Sequence, residues 1–93
     1  MPRIARHLTI TGKVQGVWYR AWTVETARSL GLAGWVRNRT DGSVEAVVEG
    51  DESAVDQFLA LAQHGPAAAR VAAVETEDVP VQNMSDFQKR PTA

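Results

Sequence analysis

The sequence predicts an α+β sandwich in which two helices cover one face of an antiparallel sheet. Apolar and polar residues alternate in four stretches, and two other stretches place apolar residues at helical spacing. Their order is strand, helix, strand, strand, helix, strand, which is the split βαββαβ arrangement of the ferredoxin-like fold. A chain of 93 residues is expected to form a single domain, residues 1–93, with one modest core.

The first strand and the first helix have clear patterns. Residues 6–13 alternate between apolar and polar side chains, which predicts a half-buried strand. Residues 20–30 contain neither glycine nor proline, and Gly31 follows in the position of a left-handed helix cap. The apolar residues of this helix recur every three positions, so the predicted inner face comprises Ala21, Val24, Ala27 and Leu30.

A hairpin follows the first helix. Residues 33–38 and 43–49 read as strands, and the sequence Thr-Asp-Gly at 40–42 is a turn signal between them. The acidic side chains Asp41, Glu45, Glu49 and Asp51 lack metal-ligand clustering and are expected to form a solvated charged face. No metal is therefore predicted.

The rest of the chain supplies the second helix and two more strands. Asp51 is a plausible N-cap of a helix that ends near residues 64–66. Residues 71–79 alternate again and predict a fourth strand. Phe87 belongs to a short extra C-terminal strand, and the last three residues are expected to fray.

Composition excludes several classes of function. A hydrophobic content of 44%, a charged content of 23% and a net charge of −1 describe an ordinary globular protein without a broad field for nucleic acid or an anionic membrane. The chain has no cysteine, which rules out disulfides, thiol catalysis and thiolate metal sites. Because no segment resembles a signal peptide or a membrane span, we expect a cytoplasmic protein.

The segment from Gly12 to Arg20 predicts an anion site. It leaves the first strand, contains two glycines four residues apart and ends on an arginine that opens a helix. Free backbone N–H groups at a helix N-terminus, with a guanidinium beside them, can hold a phosphate-sized anion.

Strand order brings Asn38 to the same place. In a right-handed crossover the first and second strands run parallel, so their C-terminal ends lie at one edge of the sheet. If Val36 faces the helices, two-residue periodicity points Asn38 to the same side, toward Arg20. An amide and a guanidinium are thus expected to converge above the loop.

Several spaced motifs carry a resemblance to a known family. The sequences GKVQGVWYR at 12–20, GLAGWVRN at 31–38 and DGSVEAVVEG at 41–50, together with Thr23, resemble those of acylphosphatases. The resemblance implies a ferredoxin-like fold and hydrolysis of acyl phosphates to carboxylate and inorganic phosphate, with no metal or cofactor. By position, it implies a phosphate-binding Arg20, a water-orienting Asn38 and a phosphate loop formed by Gln15, Gly16, Val17, Trp18 and Tyr19.

The remaining residues of the motif have secondary roles. Thr23 and Gly12 are expected to support the site without reacting. Trp18 occupies a loop position where the family often has smaller side chains, and it either narrows access or offers an apolar surface to the acyl group. The leaving group is a carboxylate whose acid has a pKa of about 4, so no general acid is needed. His7 and His64 are expected to be solvated.

Other functions fit less well. A non-catalytic phosphate- or acyl-phosphate-binding domain of the same fold is the main alternative, and part of a larger hydrogenase-maturation carbamoyltransferase is another. The length of 93 residues argues against the larger enzyme. An RNA-binding domain of similar element order would need an aromatic-rich basic signature in the third strand, which is missing. We expect a monomer that binds a small molecule and no nucleic acid.

Overall fold

A computed structural model describes residues 2–93. It contains five strands and two helices. In chain order these are β1 (Arg3–Lys13), α1 (Tyr19–Ser29), β2 (Ala33–Asn38), β3 (Val44–Asp51), α2 (Glu52–Ala62), β4 (Arg70–Val79) and β5 (Phe87–Lys89). None of the helices within the described residues is long and apolar enough to cross a membrane.

The strands form one sheet in the order β4-β1-β3-β2-β5. The four longer strands pair antiparallel, so the predicted ferredoxin-like sandwich is confirmed. β5 pairs parallel to β2, which makes the complete sheet mixed and not purely antiparallel. The reason is geometric, because the chain reverses direction after β4 and returns beside β2 at the opposite edge.

The inner face of α1 differs from the prediction. Tyr19, Thr23 and Ala27 are buried, four residues apart, while Ala21 is exposed and Val24 is half-buried. The large ring of Tyr19 enters the core at the first turn and sets the rotation of the helix. The predicted cap is confirmed: Gly31 has a φ of 72°, and the next residue donates to the carbonyl of Ala27 at 2.9 Å.

Glu49 is buried, which corrects the expectation of a solvated acidic face. Its carboxylate accepts hydrogen bonds from the Arg3 guanidinium at 2.7 Å and from the backbone N–H groups of Gln82 and Met84 at 2.7 and 2.8 Å. Burial acts to raise the pKa of Glu49, but these donors outweigh it and hold the pKa below its ordinary value. The carboxylate thereby holds the segment between β4 and β5 against the sheet.

Glu45 is also buried, again contrary to the expectation. It accepts hydrogen bonds from His7 Nε2 at 2.6 Å and from Arg37 Nε at 2.7 Å. Burial raises the pKa of Glu45, and these partners more than reverse the effect. His7 therefore packs between Glu45 and Glu77, whereas His64 is exposed as predicted.

The end of the chain is bonded to β2 and not frayed. Beyond β5, the backbone N–H of Arg90 donates to the carbonyl of Val36 at 2.8 Å. Ala93 donates to the carbonyl of Asn38 at 3.0 Å and accepts from the N–H of Thr40 at 2.9 Å. The edge of β2 is thus covered as far as Thr40, the second residue after the strand.

Candidate active site

The loop between β1 and α1 is held by side chains that point into the core. Val14, Val17 and Tyr19 are buried, and the Tyr19 hydroxyl donates to the carbonyl of Ala62 at 2.8 Å. Burial raises the pKa of Tyr19, so its hydroxyl keeps its proton. Gly16 and Trp18 both have positive φ, 72° and 68°. Left-handed residues of this kind occur where backbone N–H groups turn toward a common anion.

The backbone N–H groups of residues 15–21 have no acceptor among the described residues. Three of them, at residues 19–21, belong to the first turn of α1, where helix geometry offers no internal partner. The first bond of the helix runs from Trp22 N–H to the carbonyl of Trp18 at 2.9 Å. The loop and the helix start therefore present a continuous series of free donors.

A cleft of about 290 Å³ lies between this loop and the ends of β2 and β5. Arg20 enters it from the first turn of α1 and forms no ion pair with a described carboxylate. Its guanidinium is therefore free to bind an anion. The residues that line the cleft are Val14, Gly16, Trp18, Tyr19, Arg20, Ala21, Asn38 and Lys89.

Asn38 lines the same cleft as Arg20. It is the last residue of β2, where its backbone pairs with Val44 on one side and its carbonyl accepts from Ala93 on the other. The side-chain Oδ1 is buried and has no hydrogen-bond donor among the described residues. A buried acceptor without a donor is costly, so an external donor in the cleft would stabilise it.

Other residues of the predicted site lie around the cleft and not in it. The Gln15 side chain turns away and donates to the carbonyls of Arg39 and Ser43, both at 2.8 Å. The hydroxyl of Thr23 donates to the carbonyl of Tyr19 at 2.8 Å. Gly12 lies at a bulge of β1, where an added Cβ would come 2.3 Å from the carbonyl oxygen of Arg70. These residues shape the loop from outside.

The family model named Acylphosphatase matches residues 6–89. The chain belongs to the acylphosphatase family. It is 52% identical to an acylphosphatase of Rhizorhabdus wittichii over 97% of this chain and 91% of that protein. An acylphosphatase of Rhodospirillum rubrum is 53% identical over 89% of this chain and 91% of its own length. The solved structure of an acylphosphatase from Coxiella burnetii superposes with a TM-score of 0.92 at 36% identity, covering 95% of this chain and 93% of the other.

These comparisons confirm the predicted resemblance and the assignment of an acylphosphatase hydrolase. They also confirm the fold, since the matched acylphosphatase structure covers nearly the whole chain. The described residues contain no cluster of three or more His, Cys, Asp or Glu side chains that could hold a metal ion.

Sequence reasoning missed three residues that line the acylphosphatase cleft, Val14, Ala21 and Lys89, and of these Lys89 carries a charge. It lies in β5 opposite Val36 of β2, and it lines the same cleft as Arg20 and Asn38. The signal available in the sequence was an apolar Phe87 between polar neighbours. Without knowledge that β5 pairs beside β2, that signal could not place the lysine.

Proposed function

We propose that this protein hydrolyses acyl phosphates, that Arg20 and the loop N–H groups bind the phosphoryl group, and that Asn38 orients the attacking water. One observation carries the proposal. Among the described residues, Asn38 Oδ1 is a buried acceptor without a donor, and it shares a cleft with Arg20, which has no ion-pair partner there.

The phosphoryl group would be held by charge and by many donors. In phosphoryl transfer, negative charge spreads over three non-bridging oxygens. The planar guanidinium of Arg20 can donate to two of them, and the free N–H groups of residues 15–21 can serve the others. Because these donors are fixed by the buried side chains of the loop, they need little reorganisation during the reaction.

The water would bind between Asn38 and the phosphorus atom. Oδ1 accepts a hydrogen from the water, which leaves an oxygen lone pair free to attack phosphorus opposite the leaving carboxylate. Within residues 2–93, no Asp, Glu or His lines the cleft. We therefore assign the phosphoryl oxygens of the substrate as the acceptors of the proton from the attacking water.

The departing group needs no acid. A carboxylate is the conjugate base of an acid with a pKa of about 4, so it leaves without protonation. Tyr19 also borders the cleft. Its hydroxyl donates to the carbonyl of Ala62, so it is not available as a donor to the leaving group. We also propose activity as a monomer, because Arg20, Asn38 and the loop before α1 line one cleft within a single chain.

The test is hydrolysis of benzoyl phosphate by purified protein in the presence of EDTA. We expect turnover that a matched Arg20→Ala variant lacks. Turnover that requires added divalent metal would contradict the mechanism. Binding of inorganic phosphate without turnover would favour the non-catalytic domain of the same fold.

A further inference from the structure

Lys89 stands at the boundary between two hollows. Phe87 is buried beneath α1, and Lys89, two residues later in β5, lies on the same side of the sheet. It lines the cleft that contains Arg20 and also a second hollow of about 450 Å³ along the outer side of α1. Ala21 is the other residue that both hollows share.

The second hollow adjoins the cleft and offers space for an acyl chain. It is lined by the apolar side chains of Ala21 and Val24 and by the charged side chains of Glu25, Arg28 and Lys89. With a phosphoryl group bound at Arg20, the two residues that both hollows share mark a path for its acyl chain. The chain would pass over Ala21 and beside Lys89 into this hollow.

The two cationic side chains that line the hollow differ in whether they have partners. Arg28 Nη2 donates to the carbonyl of Phe87 at 2.9 Å, and its Nε lies 3.7 Å from Asp86 Oδ1. Lys89 forms no ion pair with any carboxylate of the described chain, including Glu25 across the hollow. The Lys89 ammonium is thus an uncommitted cation at the point where the acyl chain would leave the cleft.

We propose that Lys89 and the hollow beside α1 form an acyl-group subsite that selects acyl phosphates carrying a second negative charge on the acyl chain. This inference rests on the proposed function, because it requires the phosphoryl group to bind at Arg20. The substrate class is an acyl phosphate with a distal carboxylate or phosphate. Arg20 holds the reacting phosphoryl group, and Lys89 acts as a specificity-determining residue for the other end.

The test compares two substrates with acyl chains of six carbons, hexanoyl phosphate and 5-carboxypentanoyl phosphate. Their difference is the distal carboxylate, which lies too far along the chain to attack its own anhydride readily. We expect the wild-type protein to show a higher kcat/KM for the carboxylated substrate. Lys89→Met, which keeps an unbranched side chain without charge, should lower that value roughly three- to fivefold and leave hexanoyl phosphate within twofold.

Two controls sharpen the comparison. Lys89→Arg keeps the positive charge and should retain most of the preference. Arg90→Met removes a neighbouring cation that lies 4.9 Å over the ring of Trp35, outside the cleft, and should change neither substrate. Because the attraction is electrostatic and partly exposed to water, the wild-type preference should also fall as KCl is raised.

The outcomes separate this inference from the proposed function. An equal loss for both substrates in Lys89→Met would mean that the lysine serves the phosphoryl group, and an unchanged preference would mean that it does not contact the acyl chain. Either result overturns the subsite while the hydrolysis stands. If wild-type protein hydrolyses neither substrate, the proposed function fails and the subsite fails with it.

Discussion

The side-chain amide of Gln15 donates a 2.8 Å hydrogen bond to the carbonyl oxygen of Ser43, which ties the loop before α1 to the hairpin after Asn38. The same Nε2 also donates to the carbonyl of Arg39. Two segments that approach the cleft from different strands are thus fixed to each other by one amide. Their relative position determines how the loop donors face Asn38.

Gln15→Ala should loosen this connection. We expect the free energy of unfolding to fall by about 1–2 kcal/mol and kcat/KM for benzoyl phosphate to fall about ten- to a hundredfold. Urea denaturation and steady-state kinetics measure the two effects. Gln57→Ala, an exposed glutamine on α2, is the matched control and should change neither. Unchanged kinetics in Gln15→Ala would show that the connection does not position the loop.

Arg20→Lys tests whether planar, two-point binding is needed. An ammonium keeps the charge but cannot donate two parallel hydrogen bonds to a phosphoryl group. We expect kcat/KM for benzoyl phosphate to fall by about 10²-fold or more, given a cost of about 3 kcal/mol for a charged donor. Arg70→Lys, an exposed substitution in β4, should behave like the wild type. Full activity in Arg20→Lys would exclude a bidentate role.

Asn38→Ala should act on turnover and not on binding. If Oδ1 orients water, its removal should lower kcat by about 10²–10³-fold with little change in KM. Removal of a buried acceptor that has no donor should not lower the free energy of unfolding by much, so circular dichroism and urea denaturation should show a folded protein. A kcat equal to that of the wild type would remove Asn38 from the chemistry.

Glu49 should make the free energy of unfolding depend on pH. Its pKa is lower in the folded protein than in the unfolded chain, so the unfolded chain binds more protons as the pH falls. Its contribution is therefore complete above the ordinary pKa of a glutamate, about 4.3, and is lost as the pH falls through the lower folded value. Urea denaturation between about pH 6 and 2 should show this decline.

Glu49→Gln is the matching substitution. It should flatten the decline and lower the free energy of unfolding at pH 7 by about 1–3 kcal/mol, because the half-exposed Arg3 loses its partner and the amide opposes one of the N–H donors. Glu52→Gln, at an exposed position of α2, is the control. An undiminished pH dependence in Glu49→Gln would assign the effect to another carboxylate.

Trp18 should contribute to substrate choice, and its backbone conformation should lower the stability of the folded protein. Its side chain is 79% exposed at the mouth of the cleft, and its φ of 68° is unfavourable for a bulky residue. Trp18→Asn should raise the free energy of unfolding by up to about 1 kcal/mol. It should also raise KM for benzoyl phosphate and leave KM for acetyl phosphate unchanged. An equal change for both substrates would rule out contact with the acyl group.

The sequence was sufficient for features set by local chemistry. The loop glycines, the Gly31 cap and the alternation of the β-strands follow from backbone preferences and side-chain period. The placement of Asn38 in the same cleft as Arg20 followed from the handedness of the crossover. These rules need no knowledge of distant contacts.

The errors came from residues whose partners are far away in the chain. Glu49 read as solvated because its donors lie more than thirty residues away, in β1 and in the segment before β5. The spacing of small apolar residues misplaced the inner face of α1, because alanines are poor markers of burial compared with Tyr19. Lys89 could not be placed without the parallel pairing of β5, which local periodicity does not reveal.

The three-residue strand β5 and the tail that follows it have one more consequence. β2 would otherwise be the exposed edge of the sheet, with a row of backbone donors and acceptors beside the cleft. Such an edge can recruit a strand from another molecule and begin aggregation. β5 replaces this edge with a strand of only three residues, the kind of short edge that disfavours pairing between molecules, at the same place where it presents Lys89 to the cleft.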